Sequence, residues 1–180
     1  MELPASVRAG IQEALAAAVG RDAQVVAARS VGGGCISSSA RVDTSDGGAW
    51  FAKWNTDAPT ELFAAEADGL SALRAGAGPL LRVPEVVGVG GRGGPSDPGW
   101  ILMELLPAGR PSRDYSRDLG RGLAELHGSG ASGQEADAAF GWSRDNFIGS
   151  LPQSNDRDGD WPTFWRDQRL APQLRMARGS

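Results

Sequence analysis

The chain has 180 residues, 41% of them apolar, which is enough for one domain or two small lobes around a real core. Eighteen basic residues against 22 acidic ones leave a formal charge of −4, excluding a broad electrostatic grip on nucleic acid or on an anionic membrane. One cysteine rules out an intrachain disulfide and a cysteine zinc site and points to a reducing cytosol, and no apolar run approaches the roughly 20 residues that cross a bilayer.

Val7, Ile11, Leu15 and Ala18 recur at helical spacing, so Pro4 to Val19 is expected to form an amphipathic helix stopped at Gly20. Strands follow over Gln24 to Ala28, Ile36 to Val42 and Ala49 to Trp54. Gly32-Gly33-Gly34 lies in the first connection of this meander, and Ser45-Asp46-Gly47-Gly48 makes the tight second turn. Pro59-Thr60 opens a helix reaching Arg74, with Leu62, Glu66, Leu70 and Leu73 on one stripe, so the Glu66 carboxylate is expected to face inward. Two more strands, Val83 to Val89 and Trp100 to Leu105, flank a glycine- and proline-rich surface loop from Gly90 to Gly99. Beyond Pro107 the period becomes helical. Tyr115, Leu119, Leu123 and Leu126 form one face, and Asp160-Trp161-Pro162 starts another helix. The fold class is α+β, with residues 1–105 forming an antiparallel sheet of some five strands with a helix, and residues 106–180 a hinge and helical segments.

Lys53 is the only lysine, the other seventeen basic residues being arginines. Such a chain keeps its one ammonium where a guanidinium does not serve, or simply carries a stray surface lysine. The glycines of the first connection would let backbone N–H groups approach phosphate oxygens, because no Cβ intervenes, although glycine-rich hairpins without ligands are common. Neither a Gly-Lys-Ser/Thr run nor a following helix makes this a Walker or dinucleotide loop. The order carries more: a glycine hairpin, the strand Trp50-Phe51-Ala52-Lys53-Trp54, then a helix bearing Glu66 is the order by which protein-kinase-like folds cover and grip ATP. Lys53 would reach the α- and β-phosphates and Glu66 would orient it. The plain alternatives are an edge-strand charge and an exposed helical glutamate. Ile101 to Pro107 reads as a strand running into a hinge, where the Glu104 carbonyl and the Leu106 N–H would meet a purine edge with Met103 packed behind, or as a buried strand with a turn.

Several runs then resemble the fructosamine kinase (ketosamine-3-kinase) family, in the family's order along almost the whole chain. They are Gly33-Gly34-Cys35-Ile36-Ser37, Phe51-Ala52-Lys53-Trp54-Asn55, Phe63 to Leu70, Leu119 to His127, Phe140-Gly141-Trp142 and Asp160-Trp161-Pro162-Thr163-Phe164 with Arg169-Leu170. The most specific is Asp145-Asn146-Phe147-Ile148-Gly149-Ser150-Leu151-Pro152-Gln153, which aminoglycoside phosphotransferases and choline kinases do not share. The resemblance implies a protein-kinase-like fold and ATP- and Mg²⁺-dependent phosphorylation of the sugar 3-hydroxyl of ketosamines, free or on glycated proteins, leading to deglycation. It implies an ATP site of Gly32, Gly33, Gly34, Cys35, Ile36, Lys53, Glu66, Met103, Glu104 and Leu106.

Against the family pattern, the His-Gly-Asp catalytic loop and the metal-binding Asn and Asp have no counterpart, so no catalytic or metal residue is assigned and the chain reads as an inactive amino-terminal fragment. His127 is followed by Gly128-Ser129 and reads as a helix end. Asp156, Asp158 and Asp160 read as a solvated turn and a helix cap, since their spacing does not fit a calcium loop. Cys35 at the loop tip is a candidate redox brake on ATP binding, or merely a small loop residue. Gln153 and Asn155 are expected to hydrogen-bond a sugar, whereas Trp142 and Trp161 read as core. Other small-molecule kinases of the aminoglycoside or choline kinase type, and a non-catalytic nucleotide-binding module, are the competing readings.

Overall fold

The computed structural model describes residues 2–19, 23–32, 36–94, 96–128 and 140–179. Five antiparallel strands, β1 (Val25–Ser30), β2 (Ser38–Thr44), β3 (Ala49–Asn55), β4 (Val86–Gly90) and β5 (Gly99–Glu104), form one sheet in the order β1-β2-β3-β5-β4. The last strand in sequence thus lies in the interior, and its run Trp-Ile-Leu-Met is buried on both faces, as a central strand requires.

Alternation along the strands divides the core. Trp100 and Leu102 of β5, with Ala52 and Trp54 of β3, face helix α1 (Ala5–Ala18), whose Val7, Ile11 and Leu15 are fully buried. Burying each such side chain contributes about 1.5–3 kcal/mol. Ile101 and Met103 face the other way, against Phe63, Leu62 and Leu70 of helix α2 (Leu62–Gly76) and Phe51 of β3. The pleat that sends Phe51 to the α2 side sends Lys53 there too. Trp100 lies edge-on between Gly10 of α1 and Gly90 of β4; a Cβ on either glycine would sit 2.6 or 2.7 Å from its ring.

Two turns need glycine. At Gly91, φ is +84° and a Cβ would collide with the Pro98 carbonyl oxygen. At Gly149, φ is +64° in the two-residue turn joining β6 (Asn146–Ile148) to β7 (Leu151–Gln153). This hairpin lies in the half expected to hold a hinge and helical segments, and β6 packs against α2.

Helix α3 (Tyr115–Gly128) forms as expected, yet Tyr115 and Leu123 on its apolar stripe are exposed. The helix meets its neighbours through Gly122 instead, whose missing Cβ admits Leu80 and Leu81. Helix α4 (Trp161–Trp165) runs through a π-helical turn (Arg166–Leu170) into α5 (Ala171–Gly179). Asp160 caps α4 by accepting the Thr163 N–H at 3.0 Å, while Asp158 accepts the Asp160 N–H at 2.7 Å. Trp161 corrects the core expectation. It is 47% exposed, and its ring packs against Phe140, Phe164 and Trp165 at centroid distances of 5.2–5.9 Å.

Candidate functional site

Lys53 and Glu66 meet. The ammonium donates to both carboxylate oxygens, at 2.6 and 2.7 Å. Both side chains are a little under one-third exposed, so the pair lies in a cleft rather than in the core. The Phe63 ring, 6.0 Å from Nζ, flanks the ammonium on the core side. The pair opens into a cavity of about 380 Å³ whose wall includes Ile36, Ser37, Gly69, Asn146, Phe147 and Gly149. Strand β3 supplies the lysine, α2 the carboxylate, the two residues leading into β2 the roof, and the β6–β7 hairpin the opposite wall.

The roof is tied in place from below. The Asn55 side-chain amide donates to the Ile36 carbonyl, and Ser39 donates its hydroxyl and its carbonyl's partner Val31 donates its N–H, closing the two stems of the loop at 2.7 and 3.0 Å. Gly32 is exposed, and a Cβ on it would meet nothing within 4 Å. The expectations for Gly33, Gly34 and Cys35, including the redox role of Cys35, lie outside the described residues.

The hinge residues sit at the far end of β5. Met103 is buried against Phe51 and Val86, with which it is in register. The Glu104 N–H donates to the Glu85 carbonyl at 2.8 Å, and its carboxylate accepts from Arg82 and from the Glu85 N–H. Arg82 foremost holds the Glu104 carboxyl below its ordinary pKa, with a smaller contribution from the Glu85 N–H. Leu105 and Leu106 are half-buried and outside any strand.

Gln153 ends strand β7 of the hairpin and Asn155 follows it, and neither lines the Lys53 cavity. Asn155 is buried: its Nδ2 donates to the Arg144 carbonyl at 3.0 Å, its Oδ1 accepts from Arg169 at 2.5 Å, and its N–H donates to Asp145 at 2.9 Å. Gln153 donates across the hairpin to Asn146 at 2.9 Å. Both amides are engaged in holding the loop. Burial holds the Arg169 guanidinium below its ordinary pKa, and its plane sits 4.6 Å over the Phe164 ring. Asn55, Asn146, Phe147 and Gly149 were not foreseen as site residues. The Gly149-Ser150 pair between Ile148 and Leu151 is a two-residue hairpin signal that would have exposed the last three.

A family model for fructosamine kinase matches residues 7–180. The chain belongs to the fructosamine kinase family. Among relatives of this family, a chloroplastic protein-ribulosamine 3-kinase of Arabidopsis thaliana is 37% identical over 159 residues, covering 88% of this chain and 46% of that protein. A protein named as a probable ketoamine kinase from Synechocystis is 35% identical over 169 residues, covering 93% of this chain and 53% of the relative. The crystal structure assigned as a fructosamine-3-kinase from Thermobifida fusca superposes with a TM-score of 0.72 at 30% identity, over 94% of this chain and 55% of that one. The chain therefore has the protein-kinase-like fold of fructosamine kinases and spans about half the length of the relatives it matches.

Proposed function

We propose that this chain supplies the nucleotide-gripping part of an ATP-dependent ketosamine kinase, acting on the sugar of a small ketosamine or a glycated protein and so serving deglycation in the cytoplasm. Residues 1–105 form the nucleotide lobe and residues 106–180 the hinge and the start of the second lobe. The Lys53–Glu66 contact carries the reading. A carboxylate that holds an ammonium at the edge of a cavity leaves that ammonium one free direction, toward the cavity, where phosphate oxygens are its best partners. A space of about 380 Å³ with Ile36 and Ser37 in its wall beside the ammonium suits the phosphates of ATP. Met103, Glu104 and Leu106 would receive the purine along the hinge backbone.

Bound ATP would supply the γ-phosphoryl group; what this chain contributes is orientation and charge. Among the described residues no three His, Cys, Asp or Glu side chains cluster as metal ligands. Among the described residues no helix is long and apolar enough to cross a membrane. Equilibrium binding of a fluorescent ATP analogue to the chain tests the grip, with Lys53→Met as control. The substrate assignment is tested on the whole gene product with a fructosyl-lysine and an aminoglycoside panel. Phosphorylation of the aminoglycosides alone would replace the ketosamine reading.

A further inference from the structure

Helix α2 is held from two sides. On one, Glu66 meets Lys53. On the other, Arg144, in the loop ahead of β6, donates from Nη1 to Asp68 at 2.7 Å and from Nη2 to Glu61 at 2.6 Å. Glu61 and Asp68 are seven residues apart, about two helical turns, and so share one stripe. Glu66 stands two residues before Asp68, which rotates it by about 200° to the opposite side of the helix. The two contacts therefore oppose any roll of α2 about its axis.

Arg144 is itself well anchored. Its carbonyl accepts from buried Asn155, whose side-chain oxygen is held by Arg169, which in turn lies over Phe164. Its side chain is 33% exposed, against 63% and 48% for those of its acidic partners Glu61 and Asp68. Asp68 first and Glu61 second hold it above its ordinary pKa.

We propose that Arg144 is a positioning residue: from the second half of the chain it fixes the rotation of α2 and so keeps Glu66 against Lys53. This rests on reading that pair as a phosphate grip. Solvent-exposed ion pairs add little to global stability, so the effect belongs in the local order of α2 and in nucleotide affinity rather than in folding.

The test replaces Arg144 with Met in the full chain and follows amide hydrogen exchange together with binding of a fluorescent ATP analogue. Exchange within α2 should quicken roughly 3- to 10-fold while β3 and β5 keep their protection, and affinity should fall by a comparable factor. Arg144→Lys, which keeps the charge but not the two-pronged fork, should recover part of both. The pair Glu61→Gln with Asp68→Asn, which leaves Arg144 in place, should reproduce the loss. Unchanged α2 exchange in a folded Arg144→Met protein overturns the proposal, as does protection lost evenly across the sheet. Should the unmutated chain bind no nucleotide, the phosphate reading fails by itself, and α2 exchange still decides the role of Arg144.

Discussion

Removing the ammonium by Lys53→Met separates its contribution to folding from its contribution to binding. At oxygen distances of 2.6 and 2.7 Å, and an effective dielectric constant of about 20, the pair's gross attraction is about 6 kcal/mol. Desolvation and the roughly 2 kcal/mol of rotamer entropy lost by a fixed lysine offset most of it. A net contribution to folding of about 1 kcal/mol remains, which for a chain of this size moves Tm by about 2–4 °C. A charge-assisted bond to a phosphate oxygen is worth about 1.5–3 kcal/mol, or roughly 10- to 100-fold in affinity. Scanning fluorimetry should therefore show a small Tm shift, and fluorescence anisotropy a large loss of ATP-analogue binding. Glu66→Gln, which leaves the ammonium but loosens it, should fall between the two. Undiminished affinity in a folded Lys53→Met protein would refute the reasoning, because the ammonium would then be making no phosphate contact.

Gly10→Ala drives a Cβ to 2.6 Å from the ring of Trp100, which is only 6% exposed and is hemmed in by Gly90 on β4. A cost of about 1–3 kcal/mol is expected in chemical denaturation, and a midpoint unchanged from wild type would mean that α1 packs elsewhere. Asn155→Ala takes the partner from Nη2 of Arg169, whose Nη1 keeps the Ser154 and Gln168 carbonyls, and from the Arg144 carbonyl, and should cost about 2–3 kcal/mol, against less than about 1 kcal/mol for Gln153→Ala. Equal costs would contradict the burial seen at Asn155. Because Arg82 depresses the Glu104 carboxyl in the folded state, its stabilisation is present above the unfolded glutamate pKa and is lost as pH falls through the lower folded value. Acid titration of stability should thus be shallower in Glu104→Gln than in wild type below the ordinary glutamate range, and coincident curves would remove Glu104 as a contributor.

The strand and helix order to Glu104 was readable because each element carried its own period: Val7, Ile11 and Leu15 at helical spacing, and a β5 run apolar on both faces. That order also brought Lys53 and Glu66 together, since a pleat fixes which side of β3 the lysine takes. The second half resisted the same treatment. There Tyr115 and Leu123 lie on an apolar stripe that the described residues do not bury, so periodicity located α3 without locating its packing. Trp161 is large enough to read as core, yet it packs in a cluster of rings near the surface and stays 47% exposed. The hairpin that walls the cavity is only three residues per strand, too short for alternation to register, and its turn pair was the sole signal. Arg144 shows a different limit. Its partners Glu61 and Asp68 are more than 75 residues away in sequence, and one arginine among seventeen carries no mark of which carboxylates it will meet.

The way α1 closes one face of the sheet also sets how the molecule can be handled. Leu3, Val7, Ile11 and Leu15 seal that face, so a shortened version beginning at β1 would expose the flank of Trp100 and a broad oily surface, inviting clumping during purification. An affinity tag attached upstream of Glu2 leaves this seal intact, whereas a cleavage site engineered within the first eighteen positions would open it.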